Sequence, residues 1–382
     1  MATVLVSGAD TGELQRFHSL DVLRGVASLS VVFWHWQHFF YNGTRPVAVA
    51  DERLPLFNAF SLLYQYGWMA VDLFFALSGF IFFWLYSRKV AASAISPWTF
   101  AALRLSRLYP LHLLTLLLVA AGQYWFMSRF GTYYVYPQND ATHFLLNLAF
   151  ASSWGLEQGY SFNAPVWSVS VEIMLYALFY LVCRWLPVRL PLLLFLALLG
   201  FLLAYYYSPL GRGIASFFLG GSVCLVYRQL ATSPRAASHE RIIGVLGAAA
   251  WLLSWAASRE EPAQLAGLLH IAPALVEDIA TYWVTSILFP LTILWLALTE
   301  TRHRGFGRRY AFLGNLSYSS YLLHFPLQML TMGLLIQAGA TQEVLSSPIL
   351  LLLFFAVLVA VSLASHKYFE APAQRYLRNT LR

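Results

Sequence analysis

A chain of 382 residues that is 59% hydrophobic, 17% aromatic and only 11% charged is not a soluble domain, which carries about twice that charged fraction. The mean hydropathy of +0.62, with several apolar stretches of the ~20 residues needed to cross a bilayer, points to an all-α polytopic membrane protein. A net charge of +7 would suggest nucleic acid beside a soluble protein. In a membrane protein it reads as Lys and Arg in cytoplasmic loops, so no nucleic-acid partner is expected.

Residues 1–19 are polar, with Arg16 their only Lys or Arg and no apolar core. They are expected to form a cytoplasmic N-terminal segment without a cleavable signal peptide. The first anchor is Leu20–Phe40, LDVLRGVASLSVVFWHWQHFF, with Asp21 and Arg24 near one end and His35 near the other. Intramembrane ionisable groups are costly and usually face a bundle interior or a watery cavity. From Arg24 to His35, eleven helical steps return to nearly the same face and rise roughly 16 Å. One face thus presents a permanent cation at one depth and a titratable imidazole at another.

Further spans are expected at about 65–86, 108–128, 166–183, 190–207, 212–227, 242–257, 279–299, 311–336 and 347–366. With ten spans and both termini in the cytoplasm, most Lys and Arg fall on the inner side. The apolar piece 141–154 is too short to cross, and counting it as an eleventh span would break that bias. It reads as a re-entrant or interfacial segment. The membrane domain is placed at 20–377 and a cytoplasmic tail at 378–382. Cys183 and Cys224 lie in apolar segments without metal-ligand spacing, so their expected role is packing, with no disulfide framework and no metal.

Counted from the outer helix ends, His35, Asp72 and Glu172 lie roughly 8–10 Å deep at 1.5 Å per residue. His324, in LSYSSYLLHFP, reaches a similar level. A histidine beside carboxylates suits general-base chemistry on a hydroxyl: one acceptor nitrogen, and an anion to orient the ring. The bland alternative is a set of satisfied interhelical hydrogen bonds. On the inner side Arg104 and Arg107, in RLSRLYP, are three apart and share a helical face. With Arg24 and the run Arg302–Arg309 they could clamp phosphates, although positive-inside anchoring also explains them. The pieces FFALSGF (Phe74–Phe80) and FFLGGSV (Phe217–Val223) read as sites of close helix packing.

These stretches together resemble the family-3 membrane acyltransferases, which include bacterial O-antigen and exopolysaccharide O-acetyltransferases. LDVLRGVASLSVVFWH resembles the family's Arg-x10-His first helix, falling on Arg24 and His35. AVDLFFALSGFI is similar to its second-helix motif, RLSRLYP to its Arg-x-x-Arg motif and WSVSVEIMLY to its Trp-Ser-x-Ser-x-Glu motif. LSYSSYLLHFP and FEAPAQRYL resemble its closing motifs, which bring in Tyr321, His324, Glu370 and Pro372. Ala70 stands where a glycine is usual, and Ile173 where an acidic residue is usual.

The resemblance implies transfer of an acyl group, most often acetyl, from cytoplasmic acetyl-CoA to a hydroxyl of a surface or periplasmic glycan, a lipid-linked carrier form being one option. It implies catalytic roles for His35, Glu172 and Asp72, donor binding by Arg24, Arg104 and Arg107, and acceptor contacts from Trp167, Ser170, Tyr321 and His324. A multi-pass protein of the cell inner membrane, in contact with lipids, follows, and a separate periplasmic acyl-acceptor protein is an option. Competing readings are acyl transfer to a small molecule through an acyl-histidine, and a proton-coupled exporter of a glycan or small molecule. The latter lacks the internal repeat and broken helices usual for transporters.

Overall fold

The computed structural model describes residues 16–260 and 262–380. Among them every regular element is helical. Eight helices are long and apolar enough to cross a membrane. Two shorter ones, α1 (His18–Trp34) and Leu190–Tyr206, occupy the remaining places among the ten expected spans. The chain is a multi-pass all-α membrane protein. The remainder of the 1–19 segment and the end of the tail lie outside the described residues.

Helix α1 packs against α2 (Ala70–Leu85), the helix Phe289–Arg302 and Phe312–Gln337, here α4, on which α3 (Pro97–Phe130) also packs. Two more complete the site region, α5 (Trp167–Trp185) and α6 (Ser208–Ala231). Helix α1 packs most extensively on α4, and α2 on α6. Both crossings depend on missing side chains. A Cβ on Gly79 would lie 1.9 Å from the Phe217 carbonyl oxygen, and one on Gly220 would lie 1.9 Å from that of Ala76. The α2 and α6 backbones therefore touch, as the two glycine-containing pieces suggested. A Cβ on Gly314 would likewise sit 2.7 Å from that of Asp21, seating α1 against α4.

The first helix has no local N-cap side chain. Its free backbone donors are instead met by Glu300, which lies 281 residues from Ser19 in sequence. The carboxylate accepts from His18 N at 2.7 Å, Ser19 N at 2.8 Å and the Ser19 hydroxyl at 2.7 Å. An anion at a helix N-terminus also complements the dipole. Just above it Asp21 takes Arg16 at 2.9 Å and Arg24 at 3.2 Å.

Two boundaries differ from expectation. The first span does not continue as one α-helix to Phe40: at His35 it tightens into a 3-10 segment, His35–Phe40. The His35 carbonyl there is taken by the Gln328 side chain at 3.0 Å, so it is engaged by a side chain of α4. The last span does not stop at 366. After Pro348–Ser365 it passes through a π-helical turn, His366–Glu370, into Ala371–Thr380. The segment 141–154, expected not to cross, contains only the short helix Ala141–Leu148.

Glu300→Ala removes three buried hydrogen bonds to a charged group. It should destabilise the fold by about 2–4 kcal/mol, read as a lowered midpoint in thermal unfolding of the detergent-solubilised protein; Glu300→Gln should recover part of it.

Candidate active site

The functional side chains gather at the two ends of α1. At the end distant from His18, the His35 and His324 rings lie 4.9 Å apart between centroids and the His35 and His38 rings 4.7 Å apart. His35 Nδ1 lies 2.9 Å from the Val31 carbonyl, and His324 Nδ1 lies 2.7 Å from that of Tyr321. A carbonyl only accepts, so each Nδ1 carries the proton and each neutral ring keeps its lone pair on Nε2. The His324 ring is fully buried and its Nε2 has no hydrogen-bond partner among the described residues. His35 is 7% exposed, which leaves it a narrow opening.

Gln328 fastens the cluster from α4. It donates to the His35 carbonyl and its Oε1 lies 3.4 Å from His38 Nδ1. The loop after α3 covers the site: Tyr136 reaches His38 Nε2 at 3.4 Å and packs on Phe325. Val135 (φ 61°) and Phe162 (φ 46°) in this cover adopt a left-handed backbone that bulky residues avoid. Gln123 holds it there by bonding Tyr134 N and O at 2.9 Å each, and Asn139 accepts from Phe162 N at 3.0 Å.

The expected pairing of carboxylates with His35 is not what the structure shows. Asp72 turns to α6, where Arg212 grips it through Nε at 3.1 Å and Nη2 at 2.5 Å. The same guanidinium stacks over Trp68 at 4.8 Å and Trp167 at 5.5 Å. Glu172 accepts from Ser78 Oγ at 2.7 Å and hydrogen-bonds Tyr176. Counting residues from helix ends says nothing of azimuth, so it does not distinguish a side chain that faces α6 from one that faces α1. Tyr321 is buried, bonded to Ser168 Oγ at 2.8 Å and the Pro165 carbonyl at 2.6 Å, with its ring 6.0 Å from His324. Ser170, expected to face the acceptor, is fully buried and accepts from Ser153 N at 3.1 Å, which gives it a place in anchoring the cover loop.

At the His18 end a cavity is lined by Arg24, Arg104, Arg107 and Arg378, together with Tyr86 and Glu370. Arg24 is fixed by Ser317 Oγ at 3.0 Å and the Gly314 carbonyl at 2.8 Å. Arg104 lies over the Phe82 and Tyr86 rings and donates to the Tyr86 hydroxyl at 2.5 Å, with its Nε buried and without a hydrogen bond among the described residues. Glu370 is held by Ser319 Oγ at 2.5 Å and Ser365 Oγ at 2.8 Å. Four guanidinium groups against one carboxylate make this cavity strongly cationic, and planar Arg forks suit phosphate. His366, Gln374 and Arg378 also line it and were not foreseen. Their four-residue spacing with Glu370 was readable as one helical face, but only if the last helix ran past 366.

Between the two ends runs a seam of buried serines. Ser317 bonds Arg24, while Ser320, one turn before His324, donates to Ser28 Oγ at 3.0 Å. No group of three or more His, Cys, Asp or Glu among the described residues is disposed to hold a metal.

The sequence that builds this fold matches a known family. The profile of the Acyltransferase domain (Acyl_transf_3) covers residues 17–366, and the chain belongs to that family of membrane acyltransferases. It is 39% identical over 107 residues to "Protein 2 in picA locus" of Rhizobium radiobacter, an alignment covering 28% of this chain and 46% of that protein. It is 33% identical over 182 residues to "Acyltransferase MdmB" of Streptomyces mycarofaciens, covering 46% of this chain and 42% of the relative. The chain thus spans less than half the length of each. No solved structure matches.

Asp72→Asn leaves the Arg212 charge uncompensated in a largely buried place and should destabilise by about 3–5 kcal/mol. Asp72→Asn combined with Arg212→Gln should cost less than the sum of the two single changes. A double-mutant cycle on thermal stability measures that coupling.

Proposed function

We propose that this acyltransferase takes its acyl group, most often acetyl, from acyl-CoA at the cationic cavity and delivers it to a hydroxyl at His35. The acceptor is a surface or periplasmic glycan, and the protein resides in the cell inner membrane with the cationic end cytoplasmic. The observation that carries the reading is the placement of Arg24 and His35 on one helix, each facing a different end of the bundle. Arg104, Arg107 and Arg24 bind the donor phosphates, with the thioester reaching inward along the serine seam. His35, its Nδ1 proton committed to Val31, offers Nε2 to the acceptor hydroxyl as general base. The oxygen then attacks the thioester carbon, the C–S bond breaks, and the thiolate recovers the proton. Tyr321 and Trp167 line the acceptor side, while Glu172 and Asp72 act by holding their helices.

His35→Ala should lower turnover by ~10²–10⁴ with acyl-CoA affinity little changed. Arg104→Ala and Arg107→Ala should instead weaken donor binding, seen by calorimetry with acyl-CoA. For the acceptor, mass spectrometry of host surface glycans in wild type, deletion and His35→Ala strains is the direct test. An acyl substituent lost in both altered strains names the group and its acceptor. No glycan change at all would redirect the search to small-molecule acceptors.

A further inference from the structure

A general base that becomes an imidazolium in a dry site needs a partner for its new charge, and no carboxylate among the described residues bonds His35. Asp72 is held by Arg212, and Glu172 by Ser78 and Tyr176. What faces His35 is a second imidazole in the same protonation pattern. His324 points its Nδ1 proton at the Tyr321 carbonyl, its ring is fully buried, and its Nε2 lone pair finds no donor among the described residues. A buried acceptor left unmatched is costly, and such an orphan calls for a ligand or a transient donor. With ring centroids 4.9 Å apart and planes 34° apart, the two imidazoles are direct neighbours.

We infer that His35 and His324 form a proton-sharing dyad, in which His324 Nε2 accepts the hydrogen bond of the protonated His35 and so positions and stabilises it during acyl transfer. The inference rests on the assignment of His35 as the base. The acceptor hydroxyl gives its proton to His35 Nε2 as its oxygen bonds the thioester carbon. The imidazolium shares that proton with the His324 lone pair until the departing thiolate takes it, so no proton is gained or lost overall. His324 is a positioning residue in this scheme, distinct from an acceptor-binding role. The other ionisable groups around the pair are His38 on the 3-10 segment, Tyr321 on α4 and Tyr136 on the cover loop. None of them is a carboxylate, so none competes for the role.

The test needs no acceptor. Diethyl pyrocarbonate modifies unprotonated imidazole, and peptide mass spectrometry of the full chain in nanodiscs gives the rate at His35 across pH. In wild type, His324 stabilises protonated His35, so its reactivity should fall away at a higher pH than in His324→Phe. The expected displacement is about one pH unit, a tenfold change in proton affinity. His324→Gln, which keeps an acceptor oxygen, should fall between the two and keep part of the glycan acylation that His324→Phe loses. An unmoved His35 profile in a folded His324→Phe protein overturns the dyad. If glycan acylation survives His35→Ala, the base assignment itself fails, an outcome readable apart from the labelling.

Discussion

A helix has a fixed rise, and this protein uses it to hold a guanidinium and an imidazole roughly 16 Å apart. Arg24 and His35 sit near opposite ends of α1, and the other elements of the site attach to one end or the other. Around Arg24 the Gly314 contact brings α4 close enough for its Ser317 hydroxyl and Gly314 carbonyl to fix the guanidinium. Around His35 the same α4 contributes His324 and Gln328. One helix pair thus builds both ends of the site. Its register is set by a glycine contact and by a distant Glu300 cap that anchors where α1 begins.

The two ends differ in chemistry because they differ in charge supply. The cationic cavity gathers arginines from α1, α3 and the terminal helix, opposed by Glu370 in its lining and by Asp21 beside Arg24. The histidine end is without a paired carboxylate, the nearby acids being spent on Arg212 and on hydroxyls. A cationic cluster and an imidazole cluster are therefore separated along one axis, and the proposed function assigns the donor to the first and the acceptor to the second. The buried serines between them place polar groups in the interior without introducing charge.

Much of the fold was legible in the sequence because bilayer thickness leaves few choices: apolar stretches near twenty residues, and Lys and Arg biased to one side. The glycine contacts between α2 and α6 were readable for a similar reason, since small residues in apolar helices seldom have another purpose. Separation along α1 was readable by counting, as Arg24 and His35 show. Azimuth was not: the sequence alone could not tell that Asp72 faces Arg212 on α6 rather than His35 on α1. Nor could it show that Gln328 takes the His35 carbonyl, which turns the helix end into a 3-10 segment. His38 was within reach, lying three residues after His35, yet its partners Gln328 and Tyr136 are distant in sequence.

The most direct test of the two-ended arrangement is a cryo-electron microscopy structure with a thioether analogue of acetyl-CoA, in which the scissile bond cannot break. Phosphate density among Arg24, Arg104 and Arg107, with the arm following Ser317 and Ser320 and its acyl end beside His35 Nε2, is the expected result. Phosphates elsewhere, or an acyl end that stops short of the histidines, would contradict it.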